Sequence, residues 1–396
     1  MIKVLFVTYD FPFPLNSGGK NRAYHLMKYA VFEDISVDLL SFVREEFDPQ
    51  HVNEMKEIGI KRVKVFKRKK VNSLFTLAKN FISGDSIFKT LYYDDDFFNL
   101  LKEMVVEGDI DIVHFESSYT GYYIGKDLKK LNVKQVLGTE NIEYLLYEEF
   151  KNRTKNPLKK PIISYQISRL KKEEEKMMRD SDLTIAVTSE EASLISAVSG
   201  KECRVVENAV DIKRFEFKKR SEIKNNILFV GNFLYVPNIE AIKLFIKEVL
   251  PLLNKETTLT VIGKNVYKVV TNLDQVITKE FAEDIIEEYR NADALVFPVK
   301  IGGGTNFKLL EAMALGLPVI AYPDRLKSLR AESGKEFIGV LTGKDFADEI
   351  IKVTTDKMYG KDITENARKL VEDNYSWEKV GGKLARIWKG LYERKN

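Results

Sequence analysis

The chain has 396 residues, 44% hydrophobic and 31% charged, with 63 basic and 59 acidic side chains and a net charge of +4. That length predicts two or three domains, and the composition excludes disorder. A single cysteine (Cys203) and three scattered histidines (His25, His51, His114) exclude a disulfide framework, an all-cysteine metal site and a zinc-hydrolase pattern; the even charge balance excludes a global nucleic-acid footprint. No apolar run reaches the length of a membrane helix, and the opening apolar run is too short for a signal peptide, so it reads as a buried strand in a cytoplasmic protein.

Residues 3–9 are apolar on both faces, the pattern of a strand in a parallel sheet covered by helices. A loop through Gly18 and Gly19 leads to a helix near Lys20, which opens a βαβ unit. Residues 35–42 read as the next strand and 73–107 as helices. Residues 111–115 and 133–139 read as strands. Residues 141–180 read as a long helical stretch broken at Asn156-Pro157 and Lys160-Pro161. Residues 183–187 and 203–206 are short strands. The pattern then restarts, with strands at 226–231, 258–263, 276–277, 294–298 and 318–321. Helices are predicted at 239–253, 282–291 and 307–314. A last helix spans 375–394, with Val380, Leu384, Ile387, Trp388 and Leu391 in one stripe. Alternating strands and helices in both halves predict an α/β protein of two doubly wound domains. The boundary is expected near residues 207–225.

Ligands of open α/β sheets bind beyond the carboxyl ends of the strands. Three loops there carry chemistry. The run Val299-Lys300-Ile301-Gly302-Gly303-Gly304-Thr305-Asn306-Phe307-Lys308-Leu309-Leu310-Glu311 leads from a strand into a helix. Glycines let backbone N–H groups approach a phosphate, the helix N-terminus adds partial positive charge, and Lys308 adds a full one. Glu311 suits a ribose diol. The pattern therefore suggests a nucleotide diphosphate, without a Walker A loop or a dinucleotide fingerprint. A glycine-rich helix entry with a surface Lys–Glu pair would look the same. The second loop, at Gly231 and Asn232, is either a ligand approach or a plain turn with Asn238 as helix cap. The third holds Gly18, Gly19 and Arg22. The run Asp94-Asp95-Asp96 imitates a D-x-D metal site but precedes a helix, which predicts capping. His25 and Cys203 read as structural.

Residues 227–253 (ILFVGNFLYVPNIEAIKLFIKEVLPLL), 292–322 (ADALVFPVKIGGGTNFKLLEAMALGLPVIAY) and 205–215 (VVENAVDIKRF) resemble the retaining glycosyltransferases of family 4, which have the GT-B fold. The resemblance is strong over residues 205–322, weaker in the first half, and extends to the last helix around Tyr375-Ser376-Trp377. It implies two facing Rossmann-like domains. Residues 1–207 would bind the acceptor and 208–375 the nucleotide sugar, and a helix at 376–396 would cross back to the first domain. It implies that Glu311 holds the donor ribose, as the second glutamate of the family's E-x7-E motif. The first falls at Gly303, so Gly302, Gly303, Gly304, Thr305 and Asn306 would contact donor sugar and phosphates, with Gly231 and Asn232 nearby. Gly18 and Gly19 match the family's glycine loop of the first domain. The family's arginine/lysine pair has no counterpart around residues 231–238, which leaves Lys308 and Arg22 as cations for the departing diphosphate. Glu140 occupies the family's histidine place, and Glu116 and Asn141 are further acceptor-side residues.

The activity implied is transfer from a UDP-, GDP- or ADP-linked sugar to a glycan or lipid-linked acceptor, in cell-surface polysaccharide or glycolipid synthesis. Anomeric configuration would be retained by front-face displacement, with no metal and no cofactor. Oriented donors and cations would stabilise the departing charge. A non-catalytic binding subunit and a nucleotide-sugar epimerase are the alternatives. Two basic runs, nine Lys/Arg to one acid over 61–90 and eight to none over 151–172, are either solvated surface or a patch for anionic membrane at the inner surface.

Overall fold

The computed structural model describes residues 1–68, 84–153, 157, 159–270, 273–300 and 307–393. The chain divides into two compact units, Met1–Asn208 with Glu378–Asn396, and Ala209–Trp377.

In the first unit the strands are β1 (Lys3–Thr8), β2 (Ser36–Val43), β3 (Val63–Lys67), β4 (Ile112–Glu116), β5 (Lys134–Gly138), β6 (Leu183–Ala186) and β7 (Cys203–Val205). They form one parallel sheet in the order β3-β2-β1-β4-β5-β6-β7. The helices are α1 (Gly18–Val31), α2 (His51–Glu57), α3 (Ile87–Tyr92), α4 (Asp95–Gly108), α5 (Lys126–Lys129), α6 (Glu143–Arg153), α7 (Lys159–Asp180) and α8 (Ser189–Ser199). Both faces of β1 and β4 are buried, β1 through an apolar run and β4 with His114 and Glu116 among its buried residues.

Several expectations are corrected here. Gly18 and Gly19 are not loop residues. They form the first turn of α1, because the Ser17 hydroxyl caps the helix by accepting from Lys20 N. Pro161 does not break a helix. It sits in the first turn of α7, where its missing N–H costs no intrahelical bond. The strand β3 escaped the sequence reading because it is an edge strand whose Lys64 and Val65 face solvent, inside the basic run. Asp94 caps α4 by accepting from Asp96 N and Phe97 N, as the capping reading expected. Part of the helical stretch expected at 73–107 lies outside the described residues.

In the second unit the strands are β8 (Asn226–Val230), β9 (Thr258–Ile262), β10 (Val276–Lys279), β11 (Ala294–Phe297), β12 (Val319–Ala321) and β13 (Ile338–Gly339). Their parallel order is β10-β9-β8-β11-β12-β13. The helices are α9 (Val236–Glu248), α10 (Ile285–Arg290), α11 (Phe307–Leu315), α12 (Gly343–Thr355) and α13 (Lys361–Asn374). The core of this unit centres on Leu228, Leu295, Leu309, Met313 and Ile320. The last helix, α14 (Trp377–Glu393), belongs to the first unit from Glu378 onward. Its Val380, Leu384 and Trp388 are buried. Gly381 lies so close to α1 that an added Cβ would stand 2.4 Å from Tyr29 Cβ.

In both sheets the strand order reverses beside the first strand of the unit, between β1 and β4 and between β8 and β11. Crevices at such reversal points, beyond the strand carboxyl ends, are where doubly wound folds bind ligands.

Candidate functional site

At the first reversal point, β1 runs into Tyr9 and β4 ends at Glu116. Glu116 is buried at 1% exposure and accepts from Arg22 Nε at 2.7 Å and pairs with His114 Nε2 at 2.7 Å. Trp388 donates its indole N–H to His114 Nδ1 at 3.3 Å. A nitrogen that accepts carries no proton, so His114 bears its proton on Nε2 and donates to Glu116. Burial alone would raise the Glu116 carboxyl; the Arg22 charge and the His114 and Arg22 bonds outweigh it and hold the group at about 2. Gly138 makes room for the pair, since a Cβ there would stand 2.6 Å from Glu116 Oε2 and 2.8 Å from His114 Nε2. Arg22 also donates through Nη1 to Glu207 O and Asn208 Oδ1. Beside this network lies Glu140, after β5. Burial and the Glu116 charge push its carboxyl up to about 8.

At the second reversal point, β11 leads toward α11, which carries Lys308 and Glu311. The Lys308 ammonium stands 5.2 Å from the Phe297 ring centre and 5.8 Å from that of Phe229. Burial pushes it down to about 8 against the pull of Glu311. Glu311 Oε2 accepts from the Tyr289 hydroxyl at 2.8 Å. Burial raises the Glu311 carboxyl, and the Tyr289 bond and the Arg214 and Lys308 charges oppose the rise. On the other side of β8, Gly231 N donates to Ile262 O of β9 at 2.9 Å. Gly263 has φ +150°, and a Cβ there would meet Gly231 O at 1.8 Å, so only glycine fits. A carboxylate, an ammonium and an aromatic floor at one strand end can hold a sugar diol beside an anion.

Residues 224–356 match the family model Glycosyl transferases group 1. The matched stretch lies within the second unit. Over its whole length the chain is similar in structure to the sucrose-phosphate synthase of Thermosynechococcus elongatus, with TM-score 0.72 and 14% identity over 100% of both chains. HepE of Anabaena, solved in complex with UDP and glucose, gives TM-score 0.66 and 14% identity over 98% of this chain and 100% of its own. The fold is GT-B. In sequence, an uncharacterised 44.6 kDa protein of the cps region of Klebsiella pneumoniae is 22% identical over 394 residues, covering 96% of this chain and 98% of its own.

Within the matched stretch, Lys308 and Glu311 come together on α11 as the sequence proposed. Gly302, Gly303, Gly304, Thr305 and Asn306 lie outside the described residues. Gly231 serves packing: a Cβ there would meet Phe229 Cε1 at 2.9 Å and Asn238 Cγ at 3.1 Å. Asn232 shapes its turn, its Oδ1 accepting from Leu234 N and its carbonyl from Asn238 Nδ2, both at 2.9 Å. Asn238 is thus a loop tether; the helix cap position is Tyr235. In the first unit Gly19, Arg22, Glu116 and Glu140 converge. Arg22, however, is spent on Glu116 and on the backbone before Ala209, so it orients rather than supplies a free cation. Glu116 likewise has one oxygen engaged by Arg22 and the other by His114. Asn141 adjoins Glu140, half-buried. Sequence reading missed His114, Trp388, Tyr289 and Gly263. Their signals were weak singly, a strand histidine, a tail tryptophan, a helical tyrosine and a glycine after a strand, and only pairing across the fold gives them meaning. His25 and Cys203 are buried.

Proposed function

We propose that the protein is a glycosyltransferase that moves a sugar from a nucleotide-sugar donor to a glycan or lipid-linked acceptor, in the synthesis of a surface polysaccharide. The observation that carries this reading is the Lys308–Glu311 pair on α11, at the strand reversal within the stretch that matches the group 1 glycosyltransferase model. The cps-region relative supports a polysaccharide setting, and the complexes of HepE with UDP and glucose support a nucleotide-sugar donor.

In this reading Glu311 accepts the ribose hydroxyls, fixed in direction by the Tyr289 hydroxyl. Lys308 sits over Phe229 and Phe297 with its ammonium partly stripped of water, where its attraction for a diphosphate exceeds that of a solvated lysine. The reaction proceeds with retention at the anomeric carbon. The bond from that carbon to the departing phosphate oxygen breaks with its electron pair, the acceptor oxygen bonds on the same face, and the acceptor proton passes to the departing phosphate. The protein's main task is then to stabilise developing phosphate charge. One well-placed donor of this kind is worth about 2.7–4 kcal/mol. The acceptor is assigned to the first unit, at the crevice of Tyr9, Gly19 and Glu140, with no metal required. The basic stretches, including Lys67 and Lys160, would favour an anionic membrane surface.

The test is titration of UDP, GDP, ADP and their common sugars against the wild type and Glu311→Ala. Binding of one nucleotide family, weakened in the variant without loss of folding, supports the reading. Equal affinity in the variant removes Glu311 from the donor site. Binding without transfer to any acceptor favours the non-catalytic subunit.

A further inference from the structure

Resting on the glycosyltransferase reading above, we propose that Glu140 is held as an uncharged carboxylic acid that donates a hydrogen bond to an oxygen of the acceptor sugar, rather than serving as the base that removes its proton.

The geometry begins with Gly19. A Cβ on that residue would stand 2.7 Å from Glu140 Oε1, 2.8 Å from Oε2 and 2.8 Å from the Tyr9 hydroxyl. The Glu140 carboxyl and the Tyr9 phenol therefore converge on bare helix backbone. With Thr8, Asp10, Lys20 and Glu116 they line a small crevice at the β1–β4 reversal. Glu140 Oε1 is buried and has no hydrogen-bond partner among the described residues.

The charges around it come from every neighbouring element, and each positive one is directed elsewhere. On α1, Lys20 reaches Asp10 at 3.8 Å, and Arg22 is committed to Glu116. Arg44, after β2, stands 3.2 Å from Asp10. On β4, His114 is engaged by Glu116 and Trp388. On α6, Glu143 accepts from Tyr119 and adds negative charge near Glu140. Glu140 thus faces carboxylates, with no cation paired to it among the described residues.

Two adjacent buried carboxyl groups cannot both ionise cheaply. Glu116 has the cation and the histidine, so it takes the charge, and the proton stays on Glu140. The rise of the Glu140 carboxyl to about 8 agrees with this division. Environments that split two carboxyl groups in this way assign them different duties. The charged Glu116 holds Arg22, while the neutral Glu140 offers one donor and one acceptor, the complement of a sugar hydroxyl pair. Glu140 keeps its proton throughout the reaction.

The experiment is a difference infrared spectrum, wild type minus Glu140→Gln, at pH 6.5 and pH 9.5. The expected result is a protonated-carboxyl carbonyl band at pH 6.5 that gives way to carboxylate bands at pH 9.5. Carboxylate bands at both values overturn the proposal. Glutamine mimics the neutral acid, so the variant should fold, and its melting temperature should gain on that of wild type as pH rises from about 4.5 to about 8, with the full gain kept above that. A constant difference across pH also overturns it. In transfer to an acceptor, Glu140→Ala should lose tenfold or more, and Glu140→Gln, whose amide keeps one donor and one acceptor, should lose less than Glu140→Ala. A general base would instead lose about 10²–10⁴-fold in the glutamine variant. If no nucleotide binds at all, the glycosyltransferase reading fails while the infrared result still reports on Glu140.

Discussion

The Tyr289 hydroxyl donates to Glu311 Oε2 at 2.8 Å, and Tyr289 itself is buried at 1% exposure on α10. One oxygen of the carboxylate is thereby occupied and the other is left directed by that bond. A carboxylate that must meet two ribose hydroxyls benefits from such restraint, since the ligand then pays no ordering cost for it. Tyr289→Phe keeps the ring and removes only the hydroxyl. It should weaken binding of the cognate nucleoside diphosphate about tenfold, ~1.4 kcal/mol. Calorimetry with the 2′,3′-dideoxy nucleotide should show wild type and variant alike. An equal loss for both nucleotides would mean a general packing defect.

Lys308 should make nucleotide affinity pH-dependent. Burial lowers its ammonium to about 8 in the free protein, and a diphosphate binds the charged form. Affinity should hold from pH 6.5 to about 8 and then fall, by at most about tenfold per pH unit. Lys308→Met should bind more weakly at pH 7 and show no decline between pH 8 and 9.5. Titration of the same nucleotide at each pH checks this.

The first unit should be most stable at mildly acidic pH. Burial raises Glu143, Glu174 and Glu191 to about 7 and Glu140 to about 8. The folded state therefore binds more protons than the unfolded state above about pH 4.5, and stability falls as pH rises through 7 and 8. Glu116 acts with the opposite sign. Its carboxyl is held at about 2, so its contribution is full above pH 4.5 and is lost as pH falls toward 2. That contribution is on the order of 3 kcal/mol. Melting temperature should peak near pH 5 and decline on both sides. A profile that rises steadily from pH 5 to 8.5 would contradict these assignments.

Removing one partner of the buried pair should cost more than removing both. Arg22→Met leaves Glu116 buried with a single partner and should destabilise by about 3–5 kcal/mol. The double variant Arg22→Met with Glu116→Gln should recover part of that loss. Trp388→Phe keeps the packing on Phe6, whose ring centre lies 6.2 Å away, and removes only the donor to His114. It should cost about 1 kcal/mol. Denaturant titration measures all three.

Particular residues show how far the sequence could be read. The apolar runs of β1, β8 and β11 announced parallel strands because burial on both faces leaves no polar alternation. Lys308 and Glu311 were legible because three residues along one helix place both side chains on the same face. The helix α12 went unread although Thr342 and Asp345 form a capping box, a signal written in the sequence. The edge strand β3 was hidden because its pairing needs only one neighbour, β2, and its lysines face water.

By itself the sequence determined the alternation of strands and helices, the two-unit organisation and the donor-side helix, since these depend on periodicity and on neighbours within a turn. Only the tertiary structure decided which charges are available. Arg22 looked like a free cation and Glu116 like an open carboxylate until 94 positions of chain brought Arg22 Nε within 2.7 Å of Glu116 Oε1. The tautomer of His114 depends on Trp388, 274 positions away. Protonation is set by the local dielectric and by the nearest charges, and folding assembles both from distant segments.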